Sequence, residues 1–385
     1  MRGHIRKRGS NSWELKYDVE REGGGRRTVY RSFRGPRRAA QAELTRLLVQ
    51  VAEGGHVDPS RLTVGEHVMA RLAHWRASGT ISPKTAERYE QLITRQVLPH
   101  LGSRPLQKLT TRDVEAWHAA LMATGRKGRY GQPDGERGVS PCTIGHAHRI
   151  LRKALSEAMR HELVPKNVCT VQRAPKATAE EMRILTSEQV AAFPALLDGH
   201  ELAAPATVAL FTGLRRGELL ALRWGNTDLE EEVIRVRESL EETKAGLRFK
   251  GPKSAAGARD VKLPAIVTDT LIAHRKRLLE HRFHLGLGKL TERDLVFPAW
   301  DGSPQRPNSF GSTWSKLSRE LGLAVPFHGL RHTHASQLID MGVDVVTIAR
   351  RLGHSSPAIT LQVYAHLFRK DDSKAAAAIN RALGG

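Results

Sequence analysis

Three kinds of hydrophobic pattern follow one another along the chain. The first has a period of two. In SWELKYDVE and RRTVYRSF, on either side of Gly23-Gly24-Gly25, β-forming residues alternate with polar ones. Alternation around a glycine cluster predicts a hairpin, and a short strand near His4 to Lys7 is available to pair with it. After Pro36 the spacing becomes helical, in RRAAQAELTRLLVQVAEGG, and Gly54 stops it. The second pattern is helical throughout and fills residues 62 to 174. It predicts helices over Val64 to Ala77, Pro83 to Leu98, Thr111 to Met122, and from Ser140-Pro141 to His161. Ser82 is the candidate cap of the second, with Pro83 in its first turn. The polar, glycine-rich loop TGRKGRYGQPDGERG is expected to be mobile.

The third pattern is mixed and begins after the polar linker PKATAEEMR, residues 175 to 183. Thr186 or Ser187 caps a helix, and a largely apolar helix PATVALFTG follows. Residues 233 to 263 read as a β-hairpin sheet, with Lys253 in its turn segment. A helix over 265 to 284 follows Pro264. The tail after Tyr364 reads as a helix with Ala, Ile and Leu on one face. The fold class is therefore multidomain, mainly α with small β-sheets. The expected boundaries are 1–57, 62–174 and 184–385.

Composition narrows the class. Lys and Arg number 61 against 40 Asp and Glu, a formal net charge of +21. An excess of this size points first to nucleic acid as partner. Residues 1 to 55 alone hold 13 basic and 6 acidic residues, a net of +7. Two cysteines, Cys142 and Cys169, make no disulfide framework and fit a reduced cytoplasm. No apolar run approaches the ~20 residues of a membrane helix. The basic start MRGHIRKRG has no apolar stretch behind it, so it is not read as a signal peptide.

The candidate chemistry is concentrated between His328 and His366. His328 and Arg331 are three apart, on one face of a helix marked by Leu330, Ala335, Leu338 and Ile339. His354 lies in the polar turn LGHSSP, and Tyr364 follows ten residues later. A phenol needs help to become a nucleophile. A phosphodiester offers non-bridging oxygens that arginine reads in a bidentate way. Together these suggest attack by Tyr364 on a phosphodiester, with Arg331 on the phosphate and the histidines handling protons. A tyrosine alone is more often a packing residue; the full spacing raises this one. A zinc helix is not expected, because Gly329 stands where the HExxH pattern needs Glu and no Cys or carboxylate lies close by in sequence to complete a metal site. His332, His334 and His366 are read as structural or surface residues.

These motifs resemble the tyrosine recombinase family, the phage-type integrases. The second family box, H-x-x-R, matches His328 to Arg331, and the LGH turn and the tyrosine match His354 and Tyr364. Gly329 stands where members often carry Asp, and glycine loosens a helix start. TGLRRGELLALRW, residues 212 to 224, resembles the first box, with Arg215 as the catalytic arginine and Glu218 in support. Arg216 is expected to face solvent. Lys253-Ser254 through Arg259 fits the family's β-turn pattern K-[ST]-x-x-x-x-R, with Lys250 as rival. The N-terminal strands and helix resemble an arm-binding domain that lays its sheet in the major groove, with Arg6, Lys7, Arg8, Arg26 and Arg27 as candidate contacts. Residues 62–174 resemble the SAM-like core-binding domain, with Lys84, Arg88, Arg95 and Arg149 as candidate phosphate contacts.

The resemblance implies a mechanism. Arg215, Arg331 and His354 hold the scissile phosphate, Tyr364 forms a 3′-phosphotyrosyl bond, Lys253 protonates the leaving 5′-oxygen, and His328 acts as base for Tyr364. No cofactor is implied: the covalent link keeps the bond energy, and the basic residues take the place of a metal. The implied partners are double-stranded DNA with attachment-type sites, a homotetramer, and an accessory bending or directionality factor. Competing readings are a chromosome-dimer-resolving recombinase, a type IB topoisomerase, a metal-dependent phosphodiesterase and a non-enzymatic DNA-binding relative.

Overall fold

The computed structural model describes residues 3–20, 26–52, 59–124, 138–177, 182–252, 255–286, 288–367 and 380–383. The glycine turn at 23–25, Lys253, most of the loop after Thr124, part of the linker at 178–181 and most of the C-terminal tail lie outside them.

Strands β1 (Gly3–Gly9), β2 (Ser12–Glu20) and β3 (Arg26–Arg34) form an antiparallel sheet in chain order. The period of two acts as expected. Leu15 and Tyr17 of β2 are buried against Ala40, Leu44 and Leu47 of helix α1 (Arg37–Ala52), with Trp13 and Val19 packed beside them. The opposite face carries Lys16, whose ammonium lies over the exposed Tyr30 ring, 6.0 Å from its centre.

The helical segment runs through α2 (Val64–Ala77), α3 (Pro83–Leu92), α4 (Leu98–Leu101), α5 (Thr111–Thr124), α6 (Pro141–Arg160) and α7 (Val168–Val171). Its starts are chemically marked. Thr63 and Glu66 form a reciprocal capping box on α2, and Ser82 and Ser140 cap α3 and α6 with proline in the first turn. One expectation needs correction. The single helix expected from Pro83 to Leu98 is interrupted by a π-helical turn over Ile93–Val97 and then continues to Leu101. Both Ile93 and Val97 are fully buried, so the wider turn keeps two apolar residues on the core side.

The last segment holds α8 (Ser187–Leu196), α9 (Ala203–Thr212), α10 (Arg216–Leu220), strands β4 (Thr227–Asp228), β5 (Val233–Val236), β6 (Ser239–Thr243), β7 (Gly246–Lys250) and β8 (Arg259–Lys262), then α11 (Ala265–His284), α12 (Pro307–Glu320), α13 (Phe327–Asp340), α14 (Val345–Leu352) and α15 (Pro357–Tyr364). Thr186, rather than Ser187, caps α8, in a box with Gln189. The strands are nested rather than one hairpin. β5 pairs with β8, from Val233↔Lys262 to Val236↔Arg259, while β6 and β7 make a separate two-stranded ribbon between them. Helix α13 is buried around most of its circumference, at Phe327, Leu330, Arg331, Thr333, His334, Ala335 and Ile339. It therefore fixes the position of everything attached to it.

Ile93 is fully buried in the π-helical turn. Ile93→Ala should cost about 2–5 kcal/mol by denaturant titration. An unchanged midpoint would mean that the turn is not packed as described.

Candidate active site

The site is built on two helix ends. Helix α9 stops at Gly213 and α14 at Gly353, each left-handed with φ of 68°. A Cβ on Gly213 would lie 2.8 Å from both His334 Cδ2 and Leu352 Cδ2, so only glycine closes the turn. The two ends aim carbonyls at one guanidinium. Arg331 Nη1 donates to Gly213 O at 2.6 Å, and Nη2 donates to Leu352 O at 2.7 Å. Helix C-termini carry partial negative charge, which suits a buried cation. Burial, and then the neighbouring Arg215, pull the Arg331 pKa down to about 9, so the group is still charged at neutral pH.

Arg215 occupies the cap position of α10 and reaches the same corner. Its Nη1 donates to Glu218 Oε1 at 2.7 Å and its Nη2 to Gly353 O at 3.1 Å. Glu218 is itself buried and also takes both terminal nitrogens of Arg259, at 2.9 and 3.2 Å. Arg259 Nε donates to Arg351 O at 2.7 Å. Burial pushes the Glu218 carboxyl up, but the Arg259 hydrogen bonds and the charges of Arg259 and Arg215 prevail, and it stays below its ordinary range. Arg259 entered the sequence reading only as a spacing mark, yet it joins β8 to the site. Arg216, expected to face solvent, is half-buried; a Cβ on Gly311 would lie 2.3 Å from its Nη1.

Arg215, His328, Arg331, His354 and Ser355 line one pocket. His354 Nδ1 is 2.8 Å from Thr360 Oγ1, and burial followed by the Arg331 and Arg215 charges pushes the imidazole down to about 4. His328 keeps an exposed edge at the rim, and the burial of the rest of its ring, then the adjacent His332 and arginines, push it down to about 4. Both rings are thus neutral near pH 7. Tyr364 is 1% exposed, among Ala335, Ile339, Ile348 and Leu352, and burial pushes its phenol up to about 12.

The contact expected between His328 and Tyr364 is replaced by another. His332 Nδ1 lies 2.6 Å from Tyr364 Oη, so His332 is half-buried against the phenol rather than on the surface. His334 is buried and accepts from Arg351 Nε at 3.0 Å, as a packing role requires. The His366 side chain and Lys253 lie outside the described residues. Lys250 is ion-paired with Glu241 across the β6–β7 ribbon. Gly329 does not loosen α13. It is buried, and a Cβ there would meet Arg183 O at 2.8 Å and Val325 Cγ1 at 2.4 Å, so glycine permits a close backbone approach. Among the described residues, no group of three or more His, Cys, Asp or Glu could hold a metal ion, and no helix is long and apolar enough to cross a membrane.

The expected DNA contacts divide. Arg6 pairs in register with Glu14, on the sheet face away from α1, whereas Lys7 pairs with Trp13 on the helix side. Arg8, beside the register shift, donates to Glu14. Arg26 is exposed and Arg27 half-buried. In the helical segment Lys84, Arg88, Arg95 and Arg149 are all exposed. Arg88 of α3 and Arg149 of α6 both depress the pKa of His146, after burial, so two distant stretches of sequence meet there.

A pocket with two arginines and two neutral imidazoles, one arginine close to a buried tyrosine, is suited to holding a phosphodiester. Comparison with known proteins agrees. The phage integrase family matches residues 183–371, and the N-terminal SAM-like domain of phage integrases matches residues 73–122. An integrase of Streptomyces ambofaciens is 27% identical over 366 residues, 91% of this chain and 88% of that one. The Tn1549 transposon integrase, solved with transposon right-end DNA, shares the fold with a TM-score of 0.66 at 21% identity, over 84% of this chain and 100% of that one. A lambda integrase tetramer on a Holliday junction gives a TM-score of 0.52 at 19% identity, over 92% and 96%. The chain belongs to the phage integrase family, the tyrosine recombinases, which cleave and rejoin DNA at specific sites.

Two predictions follow from the buried network. Glu218→Gln should destabilise the fold by about 3–5 kcal/mol, because the buried Arg259 keeps its charge but loses the carboxylate that balances it. The folded Glu218 pKa lies below the ordinary 4.5, so its contribution is present above that value and disappears as pH falls through the folded value. Urea titrations at a series of pH values should show this part of the acid sensitivity missing in Glu218→Gln. Gly329→Asp, although it restores the residue common in the family, should lower the melting temperature by several degrees, corresponding to about 1–3 kcal/mol of overpacking. A melting temperature at or above the parent's would contradict the close approach to Arg183.

Proposed function

We propose that this chain integrates or excises a phage or other mobile element at attachment-type DNA sites. Tyr364 attacks the scissile phosphate, forming a 3′-phosphotyrosyl bond and releasing a 5′-hydroxyl. Arg215, Arg331 and His354 hold the non-bridging oxygens and offset the charge of the pentavalent transition state. His328, on the pocket rim, donates a hydrogen bond from its ring N–H to those oxygens. Lys253 protonates the leaving 5′-oxygen. A 5′-hydroxyl from a second duplex then attacks the phosphotyrosine, and two such exchanges pass through a Holliday junction. The observation that carries this reading is the meeting of Arg215, His328, Arg331 and His354 in one pocket, with Arg331 close enough to Tyr364 for the two to act on each other's charge.

In this reading residues 184–385 are the catalytic domain, 62–174 the core-binding domain and 1–57 an arm-type domain. Lys84, Arg88, Arg95 and Arg149 serve the core-binding domain, and Arg6, Lys7, Arg8, Arg26 and Arg27 the arm-type domain. The enzyme works in the cytoplasm as a homotetramer on DNA, as the lambda integrase tetramer does on its junction, with an accessory bending or directionality factor. The N-terminal sheet and helix favour an integrase over a dimer-resolving recombinase or a type IB topoisomerase.

The test uses nicked half-sites that span the junctions beside the protein's own gene. A protein–DNA adduct resistant to SDS should form on Tyr364, be absent in Tyr364→Phe, and survive EDTA. Arg331→Ala should slow its formation by roughly 10²–10³-fold. Tight binding with no adduct would leave the binding-only reading, and an adduct on another residue would overturn the assignment of Tyr364.

A further inference from the structure

The residue that touches the nucleophile belongs to none of the motifs that identified the site. His332 follows Arg331 on α13, and its Nδ1 lies 2.6 Å from Tyr364 Oη. The ring is turned across its neighbour, with the His328 and His332 planes at 86° and their centres 4.8 Å apart. A second cavity opens on this side of α13, lined by Arg183, Ser315, Arg319, His328 and His332 among others. Neither Tyr364 nor Arg331 lines it, and His328 is the one residue shared with the phosphate pocket. The phenol and the second cavity therefore meet at His332.

We propose that His332 is the proton acceptor for Tyr364 and that the second cavity is the exit for that proton. The assignment rests on the reading of Tyr364 as nucleophile. In the step, the Oη–H bond breaks as the Oη–P bond forms and the P–O5′ bond breaks. The proton moves to His332 Nδ1, the pair of electrons on Oη enters the new ester, and the leaving oxygen takes a proton from the acid on its own side. For Nδ1 to accept, the resting imidazole carries its proton on Nε2. The imidazolium then releases the Nε2 proton to water in the cavity. Its charged surroundings favour that release. Arg331 acts on it from α13, beside the neutral His328, Arg183 faces the cavity from the segment before α8 and Arg319 from α12, and among the described residues no carboxylate lines the cavity. Burial and then Arg331 hold the His332 pKa below its ordinary value, so the neutral, accepting form prevails at neutral pH. Rejoining runs the same path backwards, with His332 returning the proton to Oη.

Three variants test this on the nicked junction half-sites, with single-turnover adduct formation as readout and DNA retention in a gel as control. His332→Ala should slow adduct formation by at least roughly 100-fold with retention unchanged, and added imidazole should restore much of the rate. His332→Asn places an amide where Nδ1 was; it keeps a hydrogen bond to the phenol but cannot take a proton, so it should be as slow as His332→Ala. His332→Gln guards against a folding defect peculiar to the smaller side chain. In the parent enzyme the rate should fall as pH drops through the His332 range, and that fall should be missing in His332→Asn. Near-parental rates in His332→Asn would mean that His332 only positions the tyrosine, and would overturn the proposal. So would an unrescued His332→Ala with normal melting temperature. If the parent protein itself forms no adduct, the failure lies with the nucleophile assignment; if the parent reacts and all three variants match it, only the role of His332 falls.

Discussion

The catalytic segment depends on one buried cation. Arg331 cannot be desolvated without acceptors, and it finds them in the carbonyls of Gly213 and Leu352, at the ends of two helices far apart in sequence. That requirement organises the neighbourhood. Both helices must stop at the same place, and each stops at a left-handed glycine whose missing side chain lets His334, Leu352 or Arg259 approach. Arg215 then uses the next carbonyl, that of Gly353, and Glu218 links Arg215 to Arg259 and thereby to β8. The first and second boxes are thus joined through backbone, and neither arginine is held by its own helix alone.

Much of this could be read from the chain because the chemistry is local. Arg331, His354 and Tyr364 are legible from spacing within forty residues, and Ser82 from its place before Pro83, three residues ahead of the Thr85 N–H that it caps. The N-terminal sheet showed itself through a period of two with Leu15 and Tyr17 inward. What could not be read depends on distant parts meeting. His328 and His332 sit one turn apart on one helix, so spacing alone gives them nearly equal claims on the phenol. The return of α15 over α13 decides between them. The nesting of β6–β7 inside β5–β8 is likewise a non-local choice, as is the burial of Arg216 over Gly311. Gly329 illustrates the converse. Its local effect on a helix start is outweighed by the backbone of Arg183 lying against it.

The helical segment separates packing from display in the same way. Its core takes Trp75, Ile93, Trp117 and Ile144, and the π-helical turn keeps Ile93 and Val97 inward where an unbroken helix was expected. Its exposed cations then fall where the helices leave them. Arg88 and Arg149, from α3 and α6, converge on His146, a grouping with no linear signature.

The charges around the corner carry a consequence for selectivity between ground and transition states. Arg215, Arg259 and Arg331 supply three positive charges, Glu218 supplies one negative, and the imidazoles of His328 and His354 are neutral. Among the described residues the corner therefore carries more positive than negative charge. A bound phosphodiester brings one negative charge and a pentavalent phosphorane brings two. A positive corner is attracted more strongly to the phosphorane than to the substrate, which is the condition for binding energy to speed a reaction rather than merely tighten a complex.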